Sequence, residues 1–592
     1  MTLSVLPGFQ PALRPSSPAP GRDAAATSSL YVLKFGSSVL RTIEDLPRVA
    51  GELYRQRRLG RRIVAVVSAL SGETDRLFAE AAAVAGTVSC RCVPDLVSLG
   101  EERTAALLRL ACDRIGLPAE ICRPEELGLE TVGGALDGHP SRLDPIHLEA
   151  KLAATGLVIV PGFVGTGEDG QRSLFGRGGS DFSAVFLAGE LGAECVRLYK
   201  DVDGVYESDP ARCPGARRFA EVSWEDALEV ARPLIQPKAV DYAATRVLPI
   251  EIEAIGSNQP TLVGSLTSEP SPPLPTARLR IGLAGYGVVG QALAARLCHD
   301  PRFEIAAILV RHPERERAVP PRAPLTSDLG AFVETKFDIL VDALSCDGTG
   351  AALCGTLLSR GVHVVSASKR VIAGHHGRLA KAAAGGARLL YSAAVGGSAP
   401  VLETVSRAAG QGRVDQVLCI VNGTINFILD RLAVGVPADE ALQQARAAGF
   451  AEEDCEADLS GADAAAKLRI VAHHAFGTRP ETLDVATERL DEKTIARIVA
   501  SGERWVQLAH LRQHENGIEA SVRIRRLNEL PGLGAPADEW NCAVVTLAEG
   551  AVFRCIGRGA GGPATAEAIA ADLDEISREH ALAKNASVRL AS

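Results

Sequence analysis

Short apolar runs alternate with longer Ala-rich stretches through the first 263 residues. Tyr31–Phe35, Ile63–Ser68, Leu157–Val164 and Val196–Tyr199 are continuous and rich in β-branched residues. This predicts buried strands of a largely parallel sheet covered by helices. The pattern stops between Gly264 and Thr276, a run with four prolines and no periodic apolar spacing. A stiff, extended linker is expected there. Alternation restarts at Arg278–Ala284. From about Arg388 the pattern changes: Val414–Val421, Ala520–Ile524 and Ala543–Leu547 read as strands around a long helical middle. That predicts an α+β domain inserted after a parallel α/β half. The expected units are a tail over 1–28, a domain over 29–263, a linker over 264–278, an α/β domain over 279–392 completed by about 557–592, and an α+β domain over 393–556.

A chain of 592 residues exceeds a single core. Its net charge of −9 gives no reason to expect nucleic acid or membrane as a partner, and no apolar run is long enough to span a bilayer. The first 28 residues are rich in Pro, Ala and Ser and read as a disordered tail rather than a secretory signal. The thirteen cysteines show no CxxC pair. Cys90 and Cys92 form a lone CxC, expected to be buried thiols, and reduced thiols fit a cytoplasmic protein.

The run Leu279–Gln291 is a strand, a GxGxxG turn and the start of a helix. Gly285 permits the tight turn, Gly287 lets a pyrophosphate approach the backbone, and Gly290 lets the helix pack close to the strand. Val288 and Val289 open the helix, whose free N–H groups favour phosphate. A Rossmann dinucleotide-binding domain is therefore expected. The next strand, Phe303–Val310, ends in Arg311 and His312 rather than in an acidic residue. A guanidinium there suits a 2′-phosphate, so NADP(H) is favoured over NAD(H); a solvated basic loop is the alternative. Asp463 and Lys467 are spaced i, i+4 in an Ala-rich run and share one helix face. A lysine held there by an aspartate can stabilise an alkoxide and donate a proton; a solvated salt bridge is the usual meaning of such a pair.

Five segments of the C-terminal half resemble homoserine dehydrogenases in family order: Gly361–Lys369, Tyr391–Pro400, Asn422–Leu429, Gly449–Lys467 and Gly557–Ala566. The resemblance implies NADP(H)-dependent interconversion of aspartate 4-semialdehyde and homoserine. It implies Lys369 and Lys467 as catalytic lysines supported by Asp463, with Glu452 and Asp458 holding the substrate. Ser366, Lys369 and Gly557 join Gly285, Gly287, Val288, Val289, Gly290 and Arg311 at the cofactor. The family's sodium site would use the backbone carbonyls of Val395, Gly397 and Ala399, but Ser392 stands where its glutamate is usual.

The N-terminal half resembles aspartokinases at Val32–Val39, Ser68–Asp75, Ser98–Glu101, Gly176–Ser183 and Asp201–Pro210. An amino-acid-kinase αβα sandwich is implied, ahead of the Rossmann domain and the α+β catalytic and dimerisation domain. The implied kinase site has Lys34, Gly36 and Ser37 at the transferred phosphate, Arg177 and Glu101 on aspartate, Asp181 organising the site, and Asp201 and Tyr206 on Mg-ATP. The pattern departs at Pro233, where a lysine is usual, and at Ala211, while Lys200 replaces a threonine. Aspartate phosphorylation is thus one expectation and an inactive kinase-like scaffold the alternative; an NADP-binding sensor is the non-enzyme rival. Homodimers or homotetramers acting on small molecules are implied. The gap between the halves leaves no room for a pair of regulatory domains of about 120–160 residues.

Overall fold

The computed structural model describes residues 29–591 apart from 87–90, 233, 258, 274–277, 449, 451–454, 531, 535–538 and 560. The expected tail, Cys90, Pro233 and Glu452 lie outside the described residues. Cys92 is exposed, contrary to the expected buried thiol.

Three sheets of six or more strands carry the chain. The first has eight strands in the order Glu221–Ser223, Thr261–Gly264, Ile250–Ala254, Cys195–Lys200, Leu30–Phe35, Arg62–Val67, Leu157–Pro161 and Glu120–Ile121. Its pairs are parallel except Ile250–Ala254 against Thr261–Gly264. Alternate residues of one strand serve opposite faces. Leu33 and Phe35 enter one apolar layer and Val32 the other, which explains the unbroken apolar runs. The run Leu157–Val164 is not one strand. It breaks at Phe163, whose φ is 74°, and Val164–Gly167 joins a separate four-stranded sheet with Leu129–Gly134, Asp137–Leu143 and Arg172–Leu174. A positive φ cannot continue a strand.

The proline-rich stretch is pinned rather than free. Ser268 N–H donates to Glu221 O at 3.0 Å and Ser271 N–H to Arg218 O at 2.9 Å. The second sheet is wholly parallel, in the order Leu325–Thr326, Phe303–Leu309, Leu279–Ala284, Ile339–Asp342, His363–Ser366 and Leu389–Leu390. The order reverses beside Leu279–Ala284, where doubly wound sheets open a ligand crevice. The third sheet runs Ala486–Thr487, Gly517–Arg526, Trp505–His514, Val414–Ile420, Trp540–Leu547, Val552–Arg558 and is antiparallel except at its first pair. The last helix, Gly562–Ala591, returns to pack on helix Val288–Leu297 and on helix Leu46–Arg58 of the N-terminal half.

Two candidate active sites

Helix Ala462–Phe476 opens behind Gly461, whose φ of 81° suits only glycine. That start buries Asp463 in the first turn with Lys467 one turn on, on the same face. Lys467 Nζ lies 2.8 Å from Asp463 Oδ2 and donates to Val421 O at 2.6 Å. Lys369, first residue of helix Lys369–Ala382, pairs with the other Asp463 oxygen. The helix is capped by Ser368 Oγ, which accepts from Val371 N–H. Burial would raise the Asp463 pKa, but the two ammonium groups outweigh it and hold the carboxyl at about 2. Burial lowers the Lys467 pKa against the pull of Asp463. Asn422 Nδ2 donates to Asp458 Oδ1 at 2.9 Å and to Asp463 Oδ2 at 3.3 Å. Its Oδ1 meanwhile caps helix Gly423–Ala433 through Ile425 N–H. Burial, then the neighbouring Asp463 charge, raises the Asp458 pKa. Asn422 was missing from the predicted site; its signal was an N-cap residue ahead of Gly423.

The glycine-rich turn has the expected shape. Gly285 has φ 100°, and a Cβ there would sit 2.4 Å from Ala343 O. A Cβ on Gly290 would meet Gly285 O at 2.2 Å, whereas one on Gly287 would meet nothing within 4 Å. The two outer glycines serve packing and the middle one leaves backbone open to a ligand, so these residues fit a dinucleotide. Val288 is exposed beside it and Val289 half-buried. Arg311 is exposed and, among the described residues, has no ion pair, while Arg317 curls back onto His312 O. Two of the residues predicted at the cofactor have structural partners of their own. Ser366 Oγ is buried, donating to Asp342 Oδ2 at 2.8 Å and accepting from Ser368 N–H at 3.1 Å. Gly557 lets its strand approach the neighbouring loop, since a Cβ there would lie 2.5 Å from Ala399 N.

In the first sheet Lys34 is next to last in its strand and Lys200 last in the adjacent parallel strand, so both reach the same end of the sheet. They share Asp181, from the first turn of helix Gly179–Glu190, at 2.7 and 3.0 Å. Burial, opposed by Asp181 and reinforced by Lys34, brings the Lys200 pKa down to about 8. A Cβ on Gly36 would meet Lys34 Nζ at 2.6 Å, so glycine there leaves the ammonium its present place. Glu101 is buried. One oxygen accepts from Ala69 N–H at 3.1 Å, the other has no partner among the described residues, and burial raises its pKa to about 7. Ser37 and Asp201 are exposed, and Tyr206 donates to Asp203 at 2.6 Å. Arg177, predicted to hold aspartate, is exposed and lies 3.5 Å from Asp75. It follows Gly176 and precedes Gly178, both at positive φ, which turn it outward onto the rim.

Comparison with known proteins separates the halves along the same line. Residues 29–264 match the amino acid kinase family, residues 285–392 the NAD binding domain of homoserine dehydrogenase, and residues 400–573 homoserine dehydrogenase. The first half of the chain is thus similar to amino acid kinases and the second to homoserine dehydrogenases. Aspartokinase of Pseudomonas aeruginosa is 36% identical over 227 residues, 38% of this chain and 55% of that one. Aspartokinase of Thermus thermophilus is 28% identical over 351 residues, 55% of this chain and 86% of that one. The chain thus spans about half the length of the Pseudomonas relative. Among solved structures, a homoserine dehydrogenase from Thiobacillus denitrificans shares 29% identity over 51% of this chain and 74% of that one, with a TM-score of 0.46.

The C-terminal half carries Val395, Gly397 and Ala399 in a buried loop that starts at Ser392. Ser392 Oγ accepts from Arg58 of the kinase half at 2.9 Å. The donor set here does not fit a sodium ion. The glutamate usual at position 392 is a serine whose hydroxyl faces a guanidinium, and the two carboxylates beside it, Glu403 and Asp572, are already paired with that guanidinium. Among the described residues no helix is long and apolar enough to cross a membrane, and no cluster of His, Cys, Asp and Glu could hold a metal ion.

Proposed function

We propose that the dehydrogenase half interconverts homoserine and aspartate 4-semialdehyde with NADP(H), and that the kinase half phosphorylates aspartate with Mg-ATP. Asp463, bridged by two lysines beside Asp458, carries the first reading. An ammonium group has three donors. Lys467 directs one to Val421 O and one to Asp463, leaving the third for the substrate oxygen. Burial that lowers its pKa makes it a readier proton donor to a developing alkoxide. Asp463 stays ionised and aims both lysines. Asp458, favoured as a carboxylate once a cation lies beside it, holds the amino acid's ammonium, with Glu452 as its predicted companion. The dinucleotide supplies or accepts hydride when bound, its pyrophosphate lying at Gly285, Gly287, Gly290 and the helix they open, with Arg311 on the 2′-phosphate.

In the kinase half, Lys34 and Lys200 present two ammonium groups where anionic substrate and phosphate must meet. The unpaired Glu101 oxygen is an acceptor for the ammonium of aspartate. Lys200 supplies local charge that offsets the proline at 233. Purified full chain given homoserine and NADP+ is expected to form NADPH; given aspartate, Mg-ATP and hydroxylamine it is expected to form aspartyl hydroxamate. Absence of either product would remove the corresponding activity.

A further inference from the structure

Helix Leu46–Arg58 belongs to the kinase half, yet its last residue ends inside the dehydrogenase half. The Arg58 side chain is 8% exposed, and its Nε lies 2.8 Å from Glu403. One terminal nitrogen donates to Ser392 Oγ at 2.9 Å and pairs with Asp572. The second Asp572 oxygen accepts from Ser392 N–H at 3.1 Å. Ser392 starts the loop that runs to Ala399 and leads into helix Val401–Ala409, which carries Glu403. The far end of that loop touches the kinase half as well: Gly116 O accepts from Ser398 Oγ at 3.0 Å and from Arg558 N–H at 3.2 Å. Gly116 has φ 72°, and a Cβ there would lie 2.2 Å from Arg558 Cβ. The loop also connects to the chemistry. Tyr391, just before it, meets His474 Nε2 at 3.1 Å and His376 Nε2 at 3.2 Å. Those histidines ride on the two helices that carry Lys467 and Lys369.

We propose that Arg58 is a positioning residue of the dehydrogenase: its guanidinium is the fixed cation of the Ser392–Ala399 loop, in the place of a metal ion, so that the kinase half completes the dehydrogenase site. Buried Glu403 and Asp572 require a nearby positive charge. The guanidinium fork supplies it to three acceptors in set directions, which an ammonium cannot do. A tethered cation has no binding equilibrium, so the loop holds its shape at any salt concentration. The proposal rests on reading the C-terminal half as a homoserine dehydrogenase.

The test compares the full chain with Arg58→Met and Arg58→Lys in sodium chloride and in choline chloride at one ionic strength. Homoserine oxidation, NADPH binding by fluorescence and melting temperature are measured. The native chain is expected to show the same kcat and KM in both salts. Arg58→Met is expected to lose about tenfold to a hundredfold in kcat/KM, the scale of a misplaced loop, with NADPH affinity near native and part of the loss recovered by sodium. Arg58→Lys should fall between the two, and it decides the matter alone if Arg58→Met does not fold. A native chain stimulated severalfold by sodium would overturn the proposal. So would either variant folding with native kcat/KM. If the native chain oxidises no homoserine in either salt, the proposed activity fails instead. Melting then judges Arg58: sodium should raise the melting temperature of Arg58→Met and leave the native one unchanged.

Discussion

Asp463 holds two lysines with one carboxylate, and the two lysines differ. Lys467 is the more enclosed, with side-chain exposure of 13% against 39% for Lys369. Lys467→Ala is therefore expected to reduce homoserine oxidation by about 10²–10⁴-fold, the usual contribution of a positioned proton donor. NADPH binding should survive, because the glycine turn lies on a different element. A variant retaining more than a tenth of native turnover would refute the assignment. Arg311 gives a second expectation at this scale. It is exposed and unpaired among the described residues, so a carboxylate in its place costs the fold little and opposes a dianionic phosphate directly. Arg311→Asp should weaken NADPH far more than NADH in a fluorescence titration. Equal weakening of both cofactors would make Arg311 a surface charge. At this scale the site was legible in part. Asp463 and Lys467 could be paired from their spacing, since a helix fixes i, i+4 neighbours. Asn422 joins them across 41 residues of sequence, and no local pattern encodes that meeting.

The helices Lys369–Ala382 and Ala462–Phe476 also meet about two turns along from the lysines, through His376, His473, His474 and Tyr391. The His376 and His473 rings are 4.1 Å apart, and His474 Nδ1 lies 2.7 Å from Ser406 Oγ. Burial, then the neighbouring His473, lowers the His474 pKa to about 4, against the pull of Glu403; burial and His473 also lower that of His376. The folded chain therefore resists a proton that the unfolded chain accepts from about pH 6.5 downward. The stability is present above pH 6.5 and is lost as pH falls toward 4. The melting temperature should drop over that window, by about 1 °C for each kcal/mol lost if a chain of this length melts as one unit, and His474→Gln should flatten the slope. An unchanged slope in that variant would show that another group sets the acid limit. Elements were legible to different degrees for physical reasons. Parallel strands buried on both faces leave unbroken apolar runs, and these were found. The break at Phe163 depends on a positive φ that no apolar pattern marks. The hairpin Leu129–Leu143 is half exposed and carries little apolar signal.

The two halves do not pack as separate bodies joined by a linker. One apolar cluster takes Leu33, Leu53 and Leu117 from the kinase half, Leu279 and Leu297 from the dinucleotide-binding sheet and its helix, and Ile569 and Leu573 from the last helix. Around it lie buried or half-buried charges whose partners come from the opposite half: Arg58 with Asp572 and Glu403, Arg55 with Asp574 at 3.4 Å, and Arg302, which donates to Gly256 O at 3.2 Å. Breaking a buried pair by removing one partner costs about 3–5 kcal/mol, comparable to the whole stability of a small domain. Neither half can therefore lose the other without exposing apolar surface and stranding carboxylates. The sequence showed only a stiff, extended linker between the halves. The surfaces that meet are built from residues hundreds of positions apart, so their complementarity has no local signature. Scanning calorimetry of the full chain is expected to give one cooperative transition, with activity in both halves disappearing together. Two resolved transitions, with kinase activity surviving the first, would show that the shared cluster contributes little. Arg58→Met should move the single transition to lower temperature without splitting it, because the remaining apolar contacts still couple the halves.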